Sequence, residues 1–183
     1  MTARSVPPQP TFVTASEKDV WQRAVRQLPE GCLVLASLRI SDPYKDHEAD
    51  LVVLMPESGV VVVEVKGSHV WVENGEWFIQ RKTANRIYPV DQARDAQYAL
   101  RNYVESDPRW GSRTRVRWGH HVVLACTDLD DNFATPDLPR WRVSGSNDLH
   151  ELGTRLFDTT SLWQKDARPP TRDDVALIVE ILG

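Results

Sequence analysis

Asp50-Leu51-Val52-Val53-Leu54-Met55-Pro56-Glu57-Ser58-Gly59-Val60-Val61-Val62-Val63-Glu64-Val65-Lys66 is the stretch on which the fold turns. Two runs rich in β-branched residues flank a Pro-Glu-Ser-Gly turn, which predicts a β-hairpin. The second run, Val60 to Val65, is apolar at odd and even positions alike, so it must be covered on both faces and lie inside a sheet. Glu64 and Lys66 interrupt the end of that arm, and residues two apart share one face of a strand. Asp50 opens the other arm. An antiparallel hairpin turning at Glu57 to Gly59 sets residues near 50 opposite residues near 66, so Asp50, Glu64 and Lys66 are expected to meet at its open end. Charged groups are seldom buried unless paired or bound to metal. Two carboxylates beside a lysine suit a hard divalent cation held next to a phosphate.

An Asp, then an apolar hairpin, then Glu64-Val65-Lys66 resembles the PD-(D/E)XK nuclease superfamily. With its neighbours His47-Glu48-Ala49-Asp50 before the hairpin and Tyr88-Pro89-Val90-Asp91-Gln92-Ala93 opening a helix, the segment from about Thr14 to Leu156 is similar to the nuclease-related domain, or NERD, family. Ala49 stands where the superfamily pattern has Pro, and Tyr88 where it has Asn. The resemblance implies an α/β fold with a restriction-endonuclease-like core, a central mixed β-sheet flanked by helices. It also implies metal-dependent hydrolysis of phosphodiester bonds, with DNA the expected substrate, in repair, processing or defence. On this reading Asp50, Glu64 and the Val65 carbonyl hold Mg²⁺ or Mn²⁺, while Lys66 orients water or stabilises developing charge. Gln92 and, at the start of the first helix, Glu17 complete the catalytic set. The alternative is a silent nucleic-acid-binding or scaffolding module that works with a helicase partner, since fold does not imply function. A structural Glu64–Lys66 ion pair in an unrelated α/β protein is a third reading.

Composition bounds these readings. A chain of 183 residues, 41% of them hydrophobic, can bury one core. The division expected is a flexible lead-in over 1–13, where Pro7, Pro8 and Pro10 stand without periodicity, followed by a single domain over 14–183. No apolar run approaches the ~20 residues of a membrane span and no signal peptide is visible, so a cytoplasmic protein is expected. The two cysteines, Cys32 and Cys126, each sit in apolar surroundings and are expected as buried free thiols. A net charge of −4 argues against coating nucleic acid by charge alone, so any such contact must be local.

Along the chain, Thr14-Ala15-Ser16-Glu17 fits a capping box, with Val20, Trp21, Ala24, Val25 and Leu28 following at helical spacing. Glu17 therefore has a capping role open to it as well as a catalytic one. Cys32 to Ile40 is a strand candidate. Ser41 to Glu48 reads as a polar loop in which His47 is a loop residue and Glu48 supports a metal from farther out. Val70 to Val72 and Trp77 to Ile79 flank an Asn74-Gly75 turn, a hairpin expected to extend the sheet. Arg81, Lys82 and Arg86 follow, either as a solvated face or as a contact for the phosphate backbone. A helix from Pro89 to Glu105 is expected to bury Val90, Ala93, Ala96, Ala99, Leu100, Tyr103 and Val104. Arg113, Arg115 and Arg117 alternate before a strand at Val122 to Cys126, as a basic stripe or as a charged edge. His120 and His121 must face opposite sides of it. Asp128, Asp130 and Asp131 lack the glycine and distal glutamate of a calcium loop. Trp141 to Val143 is a short strand candidate, Ser146 is expected to cap a helix, and Thr171 a last one through Leu182.

Overall fold

The computed structural model describes residues 2–163 and 166–183. Its strands are β1 (Arg4–Val6), β2 (Leu33–Ser41), β3 (Asp46–Met55), β4 (Gly59–Lys66), β5 (Val70–Glu73), β6 (Glu76–Gln80), β7 (Ala84–Ile87), β8 (Trp118–Leu124) and β9 (Val143–Gly145). Its helices are α1 (Ala15–Gln27), α2 (Pro89–Ser106), α3 (Leu152–Ser161) and α4 (Arg172–Leu182). The main sheet is mixed, in the order β1-β2-β3-β4-β8-β9. The expected hairpin sits at its centre, with β3 and β4 antiparallel and β4 parallel to β8. Every residue of β4 except Lys66 is buried, as a strand covered on both faces requires.

Alternation divides the apolar side chains between two layers. Val61, Val63 and Val65 face α1 and α3 through Val20, Ala24, Leu152 and Leu156. Val60 and Val62 face α2 and α4 through Ala96, Leu100, Val175 and Ile178. The result is an α/β sandwich with a central mixed sheet flanked by helices, as the sequence predicts. Both long helices start as expected. Thr14 accepts a hydrogen bond from the Glu17 amide at 3.2 Å, and Pro89 occupies the first turn of α2, where its missing N–H costs nothing. Thr171 and Asp174 form a reciprocal capping box on α4.

Several expectations need correction. Residues 2–6 are no flexible lead-in: β1 pairs parallel with β2, and Ala3 is buried against α1. The hairpin at β5 and β6 does not extend the main sheet. It joins β7, where Arg86 lies, in a separate three-stranded sheet. Half of Ser41 to Glu48 is strand rather than loop, because β2 and β3 pair out to Ser41 and Asp46 and leave only 42–45 as the turn. His47 is thus a buried strand residue, its Nε2 2.6 Å from Asp42 Oδ2. Cys126 is exposed, since β8 ends two residues before it. Tyr103, expected inward, lies on the outer side of α2. Ser146 opens a short 3₁₀ turn and α3 begins only at Leu152. The strand expected at Trp141 is displaced into β9 by a 3₁₀ turn over Arg140–Arg142.

Candidate active site

Asp50 occupies an irregular point of the central hairpin. The β3–β4 pairing reaches Leu51 opposite Val63. Beyond that rung the Asp50 carboxylate takes over, and the Val65 amide donates to its Oδ2 at 2.7 Å. The hairpin is thus registered two residues tighter than expected, pointing Asp50 toward Glu64. On the other side of β3, Ala36 pairs with Leu51 and Leu38 with Ala49. Ser37, between them, has φ of 55°. The inward phase of both strands changes there: Leu35 and Val52 face α2 and α4, and so do Leu38 and Ala49, which an unbroken alternation would send the other way. A serine at positive φ costs of order 1–3 kcal/mol, and such strain clusters at functional sites. No residue type in the sequence announces it.

Glu64 and Lys66 leave β4 on one face, as their spacing predicts. Glu64 is 7% exposed, and Lys66 Nζ lies 3.0 Å from its Oε1. Burial pushes the Asp50 carboxyl well above the usual range, and the neighbouring Glu64 charge pushes it further, against the Val65 N–H that favours its ionised form. Glu64 is also raised by burial, with the Lys66 ammonium opposing. The site therefore holds more negative charge than it can keep comfortably.

Around this pair lies an open cleft of ≈ 780 Å³ lined by Glu17, Asp50, Glu64, Lys66, Arg81 and Gln92, among others. Gly67 sets how close α1 can come, because a Cβ there would lie 2.8 Å from Ser16 Oγ. The Glu17 amide is capped by Thr14, but its carboxylate makes no reciprocal bond to the helix terminus among the described residues; it lines the cleft instead, where its charge raises Asp50 and Glu64. Gln92 lines the cleft from the first turn of α2, and among the described residues its side-chain amide makes no hydrogen bond. Glu48 also reaches the cleft and raises Glu64. Lys45 bridges to Asp95 of α2 at 2.7 Å, joining the β2–β3 turn to that helix across the mouth.

The basic clusters divide. Arg81 borders the cleft, Lys82 is exposed beside it, and Arg86 is held by Glu76 at 2.7 Å. Arg113, Arg115 and Arg117 lie elsewhere. Arg117 O accepts from the Val60 amide at the start of β4, whereas Lys66 is at its end, ~20 Å along the strand. Arg113 is paired with Asp173 and Asp174, Arg115 with Glu105, and Arg117 Nε donates to the Ala167 carbonyl. Carboxylates of α4 and α2 thus absorb the charge of Arg113 and Arg115, while Arg117 is held by a neutral loop carbonyl. His120 and His121 face opposite layers, bonding Gln97 and Thr159 respectively.

Among the described residues no group of three or more Asp, Glu, His or Cys side chains is arranged to hold a metal. A cation here would take the two carboxylates of Asp50 and Glu64 and fill its shell from backbone, water and substrate. That donor set fits Mg²⁺, which keeps several waters and seldom uses an all-protein cage. The excess negative charge fits as well, since a cation offsets what Lys66 alone does not. No helix among the described residues is long and apolar enough to cross a membrane.

Comparison with curated proteins and with solved structures finds no match. The family model described as nuclease-related domain matches residues 13–125, more than half of the chain and the whole of the cleft just described. The chain belongs to the nuclease-related domain family.

Proposed function

We propose that this protein is a cytoplasmic, divalent-cation-dependent nuclease that hydrolyses phosphodiester bonds in DNA. The observation that supports it most is the meeting of Asp50, Glu64 and Lys66 at one end of the central hairpin, bordering a cleft with their side chains largely buried. Asp50 and Glu64 would hold Mg²⁺ or Mn²⁺, with the Val65 carbonyl as a further donor. When bound, the cation supplies charge that offsets the phosphate and makes a coordinated water more acidic.

The remaining work falls to the chain itself. Lys66, within hydrogen-bond reach of Glu64, can swing one N–H to a phosphate oxygen and stabilise the charge that grows there. The free Gln92 amide can orient the attacking water or the phosphate from a rigid helix start. Glu17, at the N-terminus of α1, can accept a proton or a water hydrogen bond on the same side. Arg81 at the rim supplies a cation for the backbone of the entering strand.

The test is a cleavage assay on single-stranded, double-stranded and flapped DNA with Mg²⁺, Mn²⁺ or EDTA, using wild type and Lys66→Ala. Cleavage that needs the metal and collapses in Lys66→Ala is the expected result. Binding without cutting under every condition, with the variant indistinguishable, would defeat the proposal.

A further inference from the structure

The small sheet turns Val70, Trp77, Ile79 and Ile87 inward, against Val90 and Leu124. Alternation then sends Trp71, Phe78 and Arg86 outward, and they are direct cross-strand neighbours: Trp71 pairs with Phe78, and Phe78 with Arg86. The His69 ring stacks on Trp71 with centroids 5.7 Å apart and planes 18° from parallel, and Trp71 on Phe78 at 5.8 Å and 19°. The Arg86 guanidinium continues the row, 5.9 Å from the Phe78 centroid and 4.9 Å from that of Tyr88. His69, Arg86 and Tyr88 are exposed, and Trp71 and Phe78 are half-buried. One cross-strand aromatic pair is enough to stabilise a hairpin. Here the flat groups continue over three strands, with the central two half-buried and the outer members exposed.

The row adjoins residues of the cleft: Ser68, next to His69, Ile79, next to Phe78, and Arg81, between β6 and β7, all line it. We propose that this row is a stacking platform for the bases of single-stranded nucleic acid, delivering an unpaired strand to the Lys66 end of β4. The direction of delivery rests on the nuclease reading; the binding itself does not. Flat aromatic and guanidinium faces take any base by stacking, which only an unpaired strand offers. The Glu76 carboxylate neutralises Arg86, so that Arg86 serves as a flat surface rather than as a phosphate ligand. Phosphates fall to Arg81 and Lys82, which make no ion pair among the described residues. A chain of net charge −4 gains more from stacking than from a general electrostatic field.

The experiment is fluorescence anisotropy of a labelled oligothymidylate and of a duplex of equal length, in EDTA so that nothing is cut. Wild type, Trp71→Leu, Phe78→Leu and the ring-preserving Trp71→Tyr and Phe78→Tyr are compared, with thermal melts as the control for folding. Each leucine variant is expected to lose on the order of 10-fold in single-strand affinity, with the tyrosine variants near wild type and duplex binding unchanged. Equal single-strand affinity in folded leucine variants overturns the platform, as does a wild type that binds duplex only. If the leucine variants melt early, photocrosslinking of a strand carrying 5-iodouridine to wild type decides instead. Crosslinks at Trp71, Phe78 or Tyr88 support the platform, and crosslinks confined to other residues overturn it. A protein that binds single strands through these rings but never cuts keeps the platform and loses the nuclease reading. One that cuts duplex and ignores single strands does the reverse.

Discussion

The Asp50 carboxylate accepts the Val65 amide at 2.7 Å, where the next rung of the β3–β4 ladder would fall. One side chain thus closes the hairpin and faces Glu64 in the cleft. Its carboxyl is raised by burial and by Glu64. For a carboxyl raised in the folded state, the unfolded chain ionises more readily, so stability is lost as pH rises through the folded value.

Asp50→Asn keeps an oxygen for the Val65 amide and removes the charge. Without metal at neutral pH it is expected to melt higher than wild type by a few degrees, where ~1 kcal/mol is worth ~2–4 °C at this size. Adding Mg²⁺ should raise the wild-type melting temperature and leave Asp50→Asn unmoved. Scanning calorimetry with and without Mg²⁺ checks both. An Asp50→Asn protein that melts lower in EDTA means that the Asp50 charge is not a strained one.

Lys66→Ala removes an ammonium beside two carboxylates. Mg²⁺ affinity should hold or increase, while cleavage falls by ~10²–10⁴, the usual loss when a positioned proton-transfer group or charge stabiliser is removed. Titration calorimetry paired with single-turnover cleavage separates the two effects. A variant that loses metal binding and activity together would place Lys66 in holding the ion rather than in the chemistry.

The central hairpin was legible because Val60 to Val65 is apolar on both faces, and the charged trio because charges so rarely interrupt such a run. What stayed hidden depended on distant partners. The Val70 to Ile79 hairpin has one sequence pattern whether it extends a sheet or starts another, and only its cover of Val90, Leu124 and Leu138 decides between them. Arg4-Ser5-Val6 is too short and too close to prolines to signal a strand, yet β2 offers it an edge. Arg113, Arg115 and Arg117 do alternate as a basic stripe should, but Asp173 and Asp174, some 60 residues away, claim the first of them.

That pairing makes a prediction of its own. Asp174 is buried, capped onto Thr171, and held well below the usual carboxylate range, with Arg168, the Thr171 amide and Arg113 outweighing the cost of burial. Arg113→Ala removes one of its two guanidinium partners and should cost ~1–3 kcal/mol in urea unfolding. The salt dependence of DNA binding should not change, because Arg113 is far from the cleft. Arg81→Ala should do the opposite, flattening the salt slope by ~1 with little effect on stability. If Arg113→Ala alters the slope and Arg81→Ala does not, the phosphate track has been placed at the wrong end of the sheet.

The two adjacent histidines are expected to weaken the fold in acid. His120 is buried on the α2 side with Nδ1 2.6 Å from Gln97 Oε1, and burial with the Arg142 and Arg94 charges pushes it down to about 3. His121, enclosed between Thr159 and Ser144, is pushed well below its ordinary value by burial and then by Arg155. Both are neutral in the folded chain, whereas an unfolded histidine takes up its proton near ~6.5. The unfolded state therefore binds more protons as pH falls. Stability present above ~6.5 is lost on the way toward 3, at roughly 1.4 kcal/mol per pH unit for each histidine. Asp50 and Glu64 act with the opposite sign, so Asp50→Asn is the better background for the measurement. Urea unfolding in that background at about pH 7 and about pH 5 should show the part of the loss from both histidines that falls between those values. Adding His120→Gln should lower stability at about pH 7, through poorer packing, while cutting the loss between the two pH values by about half. An unchanged loss would remove His120 from the acid response and leave His121 to account for it alone.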